Sequence, residues 1–234
     1  MWMAVGPSVN FGNATIMKCY TYYLFDADGT LLDSTELIYQ SFAYACQKFA
    51  NFPLTRAQVH AHVGLPVRTL IQSYLGPLSD EEYAEIYQAQ LEFQLTTYQH
   101  YLSLFPGVLP TLHALKSQGK HLAIVSARKQ DTLLVYLRET GIFEYFDAIV
   151  SPELTNGTNK PDPAPAFKAL ELMKGSPEQS LFVGDVSSDI ECGHRAGMDT
   201  AFVAWSHYTP EELSPQPTLI LKEMQDLVHC NGEV

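Results

Sequence analysis

Three polar residues stand directly after sequence runs that are typical of buried β-strands. Asp26 follows the run TYYLF, Ser126 follows HLAIV, and Asp185 follows LFVG. Near-continuous apolar runs of this length are typical of a parallel sheet covered on both faces. Because ligands of open α/β sheets bind outside the carboxyl ends of the strands, we expect these three side chains to converge at one edge.

Two further carboxylates accompany them, since Asp28 lies two positions after Asp26 and Asp189 lies four positions after Asp185. A single aspartate after a strand is usually a turn residue or a helix N-cap. Several carboxylates at one edge repel each other unless a cation lies between them. Oxygen donors without His or Cys favour Mg²⁺ over zinc, so the pattern predicts a magnesium site built from these carboxylates.

The strand pattern recurs in the second half of the chain, at Phe146–Val150 and Thr200–Ala204. Helical patterns alternate with the strands, at Asp131–Thr140, Pro163–Met173 and Asp189–Ala196. This alternation predicts an α/β fold, a Rossmann-like doubly wound parallel sheet with helices on both faces.

One interval is too long for the pattern, because 100 residues separate Asp26 from Ser126 while a βαβ unit needs about 30. The surplus is helical in character and predicts an inserted α-helical cap domain over residues 35–105, with the core formed by 18–34 and 106–230. The expected cap helices are one capped by Asp33 with Glu36, one over Arg56–His62, one over Pro66–Gly76 and one from Ser79 or Asp80 to Leu104.

The composition is globular, with 46% apolar and 17% charged residues. A formal net charge of −12 argues against a nucleic-acid ligand and against a polybasic membrane contact, because both depend on Lys and Arg. No apolar run reaches the roughly 18 residues of a membrane span. A small anionic ligand stays compatible with this charge, because a metal ion and a few N–H groups bind phosphate locally.

The four cysteines, Cys19, Cys46, Cys192 and Cys230, lie far apart and form no CxxC pair. They predict free thiols of a reducing compartment and a cytoplasmic location. Residues 1–17 have neither the basic start nor the compact apolar stretch of a secretory signal. They predict a disordered extension, or an upstream start with Met17 as the effective beginning, and a docked functional arm is the alternative.

Four motifs, in this order, resemble those of the haloacid dehalogenase superfamily of phosphohydrolases. The segment FDADGTLLDS is similar to the first motif, IVSARK to the second, NKPDPAP to the third and VGDVSSDIECGHRAG to the fourth. The resemblance covers about residues 20–205. The insertion between the first two motifs is similar to the cap of the phosphoglycolate phosphatase and β-phosphoglucomutase branches.

The resemblance implies a role for each carboxylate. Asp26 would be the nucleophile that forms an aspartyl-phosphate, and Asp28 would be the general acid and then the base. Asp26, Asp185 and the backbone carbonyl of Asp28 would hold Mg²⁺. Asp189 would bind the ion through water or orient its other ligands.

The resemblance also implies how the phosphoryl group is bound. Ser126 and Lys160 would hold its oxygens, together with the backbone N–H groups around Gly29. Arg128 and Lys129 are interpreted as solvated, with a reach toward a substrate anion as the alternative.

Three functions stay open at this point. The first is a Mg²⁺-dependent phosphatase that acts on a small phosphate monoester similar to phosphoglycolate. The second is a sugar phosphomutase, and the third is a non-catalytic regulatory protein that has retained the fold. A dehalogenase does not need the second acid, Asp28, and a phosphonatase needs a cap lysine, for which Lys48 is the only candidate.

The cap sequence offers one candidate for substrate specificity. Arg68, in the segment GLPVR, could contact the leaving group of the substrate, such as a carboxylate, and the alternative is a surface arginine. His60 and His62 are interpreted as cap residues without a metal, because an HxH pair alone is weak evidence of a site. The expected partner is a small phosphorylated metabolite, and the expected state is a monomer or homodimer.

Overall fold

The computed structural model describes residues 18–60 and 67–228. The expected extension at 1–17, the segment 61–66 with His62, and Cys230 lie outside the described residues. The same holds for the side chain of His60, so the interpretation of the two histidines stays a prediction.

A six-stranded parallel sheet forms the centre of the protein, in the order β5-β4-β1-β6-β7-β8. The strands, in chain order, are β1 (Tyr22–Phe25), β2 (Leu32–Asp33), β3 (Ser103–Leu104), β4 (His121–Val125), β5 (Ala148–Val150), β6 (Ser180–Gly184), β7 (Asp199–Val203) and β8 (Leu219–Leu221). The parallel sheet and its flanking helices confirm the predicted α/β fold.

Eight α-helices accompany the strands in the described part of the chain. They are α1 (Thr35–Ala50), α2 (Arg56–His60), α3 (Val67–Leu75), α4 (Asp80–Tyr101), α5 (Val108–Ser117), α6 (Gln130–Glu139), α7 (Ala164–Met173) and α8 (Ser187–Arg195). Short 3₁₀ turns fill several of the connections.

The two faces of the sheet are covered by different helices, because side chains alternate along each strand. Phe25 packs in one buried cluster with Leu112 of α5 and Leu137 of α6. Its neighbour Leu24 packs in a second cluster, with Leu170 of α7 and Cys192 of α8. Burial on both faces explains why the strand sequences are apolar throughout.

The helices α1–α4 form a helical insertion (residues 35–101) with its own buried cluster, which includes Phe42, Leu70 and Ile86. The chain enters the insertion through β2 and leaves it through β3. These two strands pair antiparallel, with Leu32 opposite Leu104 and Asp33 opposite Ser103. A two-stranded ribbon therefore connects the insertion to the sheet.

The helix caps of the insertion differ in part from the prediction. The N-cap residue of α1 is Ser34 and not Asp33, because Asp33 belongs to β2. At α4 the predicted start is confirmed, since the Ser79 hydroxyl accepts the Glu82 N–H and the Glu82 carboxylate accepts the Ser79 N–H.

The cysteine prediction is wrong at one position. Cys19 is disulfide-bonded, whereas Cys46 and Cys192 are buried free thiols. Among the described residues, no helix combines the length and the apolar character that crossing a membrane requires.

Candidate active site

The sheet brings together the three residues at the strand ends. Asp26, Ser126 and Asp185 directly follow β1, β4 and β6, which are neighbours in the sheet. All three side chains are buried. Together with Asp28 and Lys160 they line one cavity of about 610 Å³ between the sheet edge and the helical insertion.

Three carboxylates form a tight buried cluster, since one oxygen each of Asp26, Asp185 and Asp189 lies within 4.8 Å of the other two. Burial, and then the charges of Asp26 and Asp189, raise the pKa of Asp185 well above its usual range. Burial also raises the pKa of Asp26 to about 7, although the Lys160 ammonium acts to lower it. Three negative charges are therefore unfavourable here without further positive charge.

Lys160 supplies one positive charge to this cluster. Its Nζ atom donates to Asp26 Oδ1 and lies 2.7 Å from Asp189 Oδ1. Burial acts to lower the pKa of Lys160, but the two carboxylates outweigh it and raise that pKa above its usual range. One ammonium against three carboxylates leaves a negative excess that a divalent cation would offset. The donor set contains only oxygen atoms and fits Mg²⁺.

The turn between β6 and α8 fixes Asp189 beneath the site. Asp189 Oδ2 accepts the N–H groups of Asp185, at 3.1 Å, and Val186, at 3.2 Å. A Cβ atom on Gly184 would lie 2.2 Å from Asp189 Cβ. Gly184 is thus required for this close packing, a role that sequence reasoning missed although the glycine stands directly before Asp185.

Gly29 allows a second close approach. Its φ angle is +86°, and a Cβ atom at this position would lie 2.2 Å from Asp185 Oδ2. The Gly29 N–H donates to the carbonyl of Leu32, at 2.9 Å, so in this structure it is used within the turn. The expected contact of this N–H with a phosphate stays a prediction.

The carboxylate of Asp28 is bound by Arg128, which sequence reasoning interpreted as solvated. Arg128 is only 11% exposed and donates from Nε to Asp28 Oδ2 and from Nη2 to Oδ1, both at 2.8 Å. The Ser34 hydroxyl donates to Oδ1 at 2.5 Å. Burial acts to raise the pKa of Asp28, but Arg128 and Ser34 outweigh it and lower that pKa.

Arg128 also connects the site to the helical insertion. Its Nη1 atom donates to Gln94 Oε1 of α4 at 3.0 Å, and the Tyr136 hydroxyl donates to the same oxygen at 3.0 Å. Gln94 Nε2 donates to the Ser41 hydroxyl of α1 at 3.0 Å. The signal in the sequence was the position of Arg128 two residues after Ser126, at the strand end that faces the site.

Ser126 accepts the N–H of Arg128 at its Oγ atom, at 3.1 Å. This bond stabilises the turn after β4, and the hydroxyl also lines the cavity. Both interpretations of this serine, as a turn residue and as a cavity residue, are therefore compatible with its position.

Two cap residues that the sequence singled out do not join the site. Arg68 pairs with Asp80 at 2.6 Å, lies over the Tyr83 ring at 4.9 Å, and is not among the residues that line the cavity. Lys48 lies 5.6 Å from the ring centre of Tyr44 in its own helix. The structure thus places neither cation against the carboxylates.

Comparison with known proteins places the chain among the haloacid dehalogenase-like hydrolases. The family model of haloacid dehalogenase-like hydrolases matches residues 23–203. A pyrophosphatase PpaX of Bacillus velezensis is 32% identical over 92% of this chain and 98% of its own length. A phosphoglycolate phosphatase of Aquifex aeolicus is 35% identical over 88% and 93%.

A solved structure extends the likeness to three dimensions. A haloacid dehalogenase-like hydrolase of Bacteroides fragilis superposes with a TM-score of 0.80 at 27% identity, over 89% of this chain and 99% of that protein. The chain belongs to the haloacid dehalogenase-like hydrolases and is an enzyme of that family.

Proposed function

We propose that the chain is a Mg²⁺-dependent phosphatase that hydrolyses a small phosphate monoester through an aspartyl-phosphate on Asp26. The observation that supports this most is the buried Asp26 carboxylate, bound by Lys160 at the floor of a cavity that Asp185 also lines. The names of the two curated relatives, a pyrophosphatase and a phosphoglycolate phosphatase, support phosphoryl chemistry.

Asp26 and Asp185 would hold Mg²⁺, with the backbone carbonyl of Asp28 as a further ligand, and Asp189 would bind the ion through water or orient its other ligands. When bound, the ion neutralises charge on the phosphoryl oxygens and on the carboxylates. The Lys160 ammonium would stabilise the negative charge of the phosphoryl oxygens, and the Ser126 hydroxyl would donate a hydrogen bond to one of them.

The reaction then has two steps. An Asp26 oxygen attacks phosphorus, the bond from phosphorus to the alcohol oxygen breaks, and Asp28 gives its proton to that oxygen. In the second step Asp28 takes a proton from water, which attacks phosphorus and releases phosphate and the Asp26 carboxylate. The contact with Arg128 favours the ionised Asp28, which is the form that accepts this second proton. The first step requires the protonated form, so Asp28 must hold a proton when the substrate is bound, either from the preceding turnover or from solvent.

We further propose that residues 35–105 act as a cap domain over a core formed by 18–34 and 106–230. The separate buried cluster of the insertion and the β2–β3 ribbon support this division. Movement about the ribbon would admit substrate and then exclude water. The cytoplasmic location stays a proposal, and the disulfide at Cys19 removes one of its premises.

The test is phosphate release from p-nitrophenyl phosphate with Mg²⁺, together with mass spectrometry of acid-quenched protein. Wild type should release phosphate and carry a trapped phosphoryl group, and Asp26→Asn should do neither. Glu81→Gln, an exposed acid on α4, is the control and should match wild type. Absence of hydrolysis with a broad metabolite panel would contradict the proposal. Conversion of a sugar 1-phosphate to a 6-phosphate without phosphate release would indicate a phosphomutase.

A further inference from the structure

The cavity above Asp26 is larger than a two-carbon ester requires. Its volume is about 610 Å³, and sites of about 300–1,000 Å³ accommodate drug-sized ligands. The phosphoryl group would lie at the floor, against Asp26 and Lys160. Most of the volume is therefore left for the leaving group, on the side of the helical insertion.

The wall that the insertion contributes is mainly apolar and aromatic, and the amide groups of its Gln90 and Gln94 are already hydrogen-bonded to Ser41. The side chains from α1, α3 and α4 that form it include Ile38, Phe42, Leu70, Tyr83, Tyr87 and Leu91. Such a surface binds hydrocarbon or ring atoms through the hydrophobic effect and through ring contacts. It offers little to a carboxylate or a second phosphate.

The cations of the insertion are bound elsewhere. Residues 35–105 contain three Lys or Arg residues, and none of them lines the cavity. Arg56 pairs with Glu36 at 2.7 Å, Arg68 pairs with Asp80 at 2.6 Å, and Lys48 lies over aromatic rings of its own helix. The insertion therefore provides no Lys or Arg partner for an anionic leaving group.

The cations on the core side are also engaged. Lys160 and Arg128 are each paired with a carboxylate of the site. Lys129 lies 4.4 Å from the ring centre of Tyr87, and the acidic Glu153 lines the cavity as well. A second negative charge on the substrate would lose hydration here. Among the described lining residues, Lys129 is the one cation outside the pairs with Asp26, Asp28 and Asp189, and it already interacts with the Tyr87 ring and the Glu153 carboxylate, so the exchange is unfavourable.

We propose that the substrate is a phosphate monoester of an uncharged alcohol that carries an aromatic or aliphatic group. The proposal rests on the phosphatase function stated above and specifies its substrate class. It separates this chain from relatives that are named for phosphoglycolate and pyrophosphate, both of which carry a second anionic group.

The test compares kcat/KM with Mg²⁺ for two matched pairs of esters. Ethyl phosphate and phosphoglycolate differ by a carboxylate, and so do phenyl phosphate and 4-carboxyphenyl phosphate. The assays run at pH 8 so that histidine side chains do not add positive charge to the site, since an unperturbed histidine has a pKa of about 6.5 and is neutral at this pH. We expect about a tenfold or larger preference for the uncharged member of each pair, and for phenyl over ethyl phosphate.

The outcomes separate the two proposals. Equal or better turnover of the carboxylate esters would overturn the substrate class and leave the phosphatase function intact. No turnover of any ester would overturn the phosphatase function and the substrate class with it.

A pair of variants locates the leaving group. Leu91→Arg places a cation in the cavity wall and should shift the preference toward 4-carboxyphenyl phosphate by about tenfold. Leu95→Arg is the control, because Leu95 lies one turn further along α4, is 39% exposed and does not line the cavity. Equal ratios in the two variants would count against a leaving group at this wall. Should Leu91→Arg fail to fold, the wild-type panel decides alone.

Discussion

The guanidinium of Arg128 and the carboxylate of Asp28 form a bidentate ion pair, with two hydrogen bonds of 2.8 Å. A planar fork restrains both the position and the plane of the carboxylate that it binds. Because Arg128 also donates to Gln94, the orientation of the proposed acid is connected to α4 of the helical insertion.

Loss of this pair should destabilise the protein. Arg128→Met leaves the Asp28 carboxylate, which is 22% exposed, without its main partner, and we expect a loss of about 2 kcal/mol in the free energy of unfolding. Urea denaturation measures this loss. In the Asp28→Asn background the same substitution should cost much less, since no carboxylate charge is left unpaired. Equal losses in both backgrounds would contradict the pairing.

The carboxylate cluster predicts a specific response to Mg²⁺. Asp185→Asn removes a charge that burial and two carboxylates make unfavourable, so the metal-free Tm should not fall. The rise in Tm that Mg²⁺ gives to wild type should be lost in this variant, and EDTA should abolish it in wild type. The Glu81→Gln control should respond as wild type does. A full Mg²⁺ response in Asp185→Asn would show that the ion binds elsewhere.

Alanine substitutions at two glycines with similar backbone conformations distinguish the cost of backbone strain from the cost of a steric clash. Gly29 has φ +86° and faces Asp185, whereas Gly141 has φ +73° with open space around it. Gly141→Ala should cost about 1 kcal/mol of stability and keep activity. Gly29→Ala should cost more and abolish phosphate release, because the added methyl group displaces Asp185. The measurements are thermal unfolding and steady-state hydrolysis, and matching results for both variants would refute the steric argument.

Asp147 predicts a pH dependence of stability away from the site. Its carboxylate accepts Lys116 Nζ at 2.8 Å and the Leu122 N–H at 2.9 Å. Burial acts to raise its pKa, but these two donors lower it below the usual value. The contribution is therefore present above the unfolded pKa of about 4 and is lost as the pH falls through the folded pKa.

Asp147→Asn should accordingly lower the free energy of unfolding by about 1 kcal/mol at pH 7. The difference should become smaller as the pH falls below about 4, since wild type then takes up a proton at Asp147 as well. Urea titrations over a series of pH values measure this change. A loss that does not vary with pH would show that the charge of Asp147 is not what stabilises this contact.

A substitution of Arg68 tests whether this residue contacts the leaving group of the substrate, as expected from the sequence, or only pairs with Asp80, as in the structure. Because Arg68 pairs with exposed Asp80, Arg68→Ala should change kcat/KM for phenyl phosphate and for phosphoglycolate by less than about twofold. Steady-state kinetics with both esters check this. A selective loss with phosphoglycolate would restore the role expected from the sequence.

The main strands of the sheet and the carboxylates at their ends were predictable, because both depend on local sequence signals. Buried parallel strands require apolar runs, and Asp26 and Asp185 stand where those runs end. Helix α5 had an apolar pattern of its own, with Val108, Leu112 and Leu115 buried, that the prediction did not use. Strand β8 was not predicted, because its apolar run LIL is shorter than the four- and five-residue runs that indicated the other strands of the sheet.

What could not be predicted depends on contacts between distant parts of the chain. Arg128 and Asp28 are 100 positions apart, so no local pattern identifies their pairing. Asp33 has the sequence signature of a helix cap, yet it pairs with Ser103 in the ribbon and leaves the cap to Ser34. Arg68 forms an ion pair with Asp80. The sequence analysis assigned Asp80 only to the start of a helix and did not predict this pair.

The ribbon of β2 and β3 places the two ends of the insertion side by side. Opposite residues of an antiparallel pair have Cα atoms about 5 Å apart, so Asp33 and Ser103 lie at a distance that a tight hairpin turn can span. We therefore expect the intervening helices to be exchangeable as a unit. Replacing them with such a turn, or with the corresponding helices of a relative, should change the wall of the cavity and leave the order of the sheet as it is.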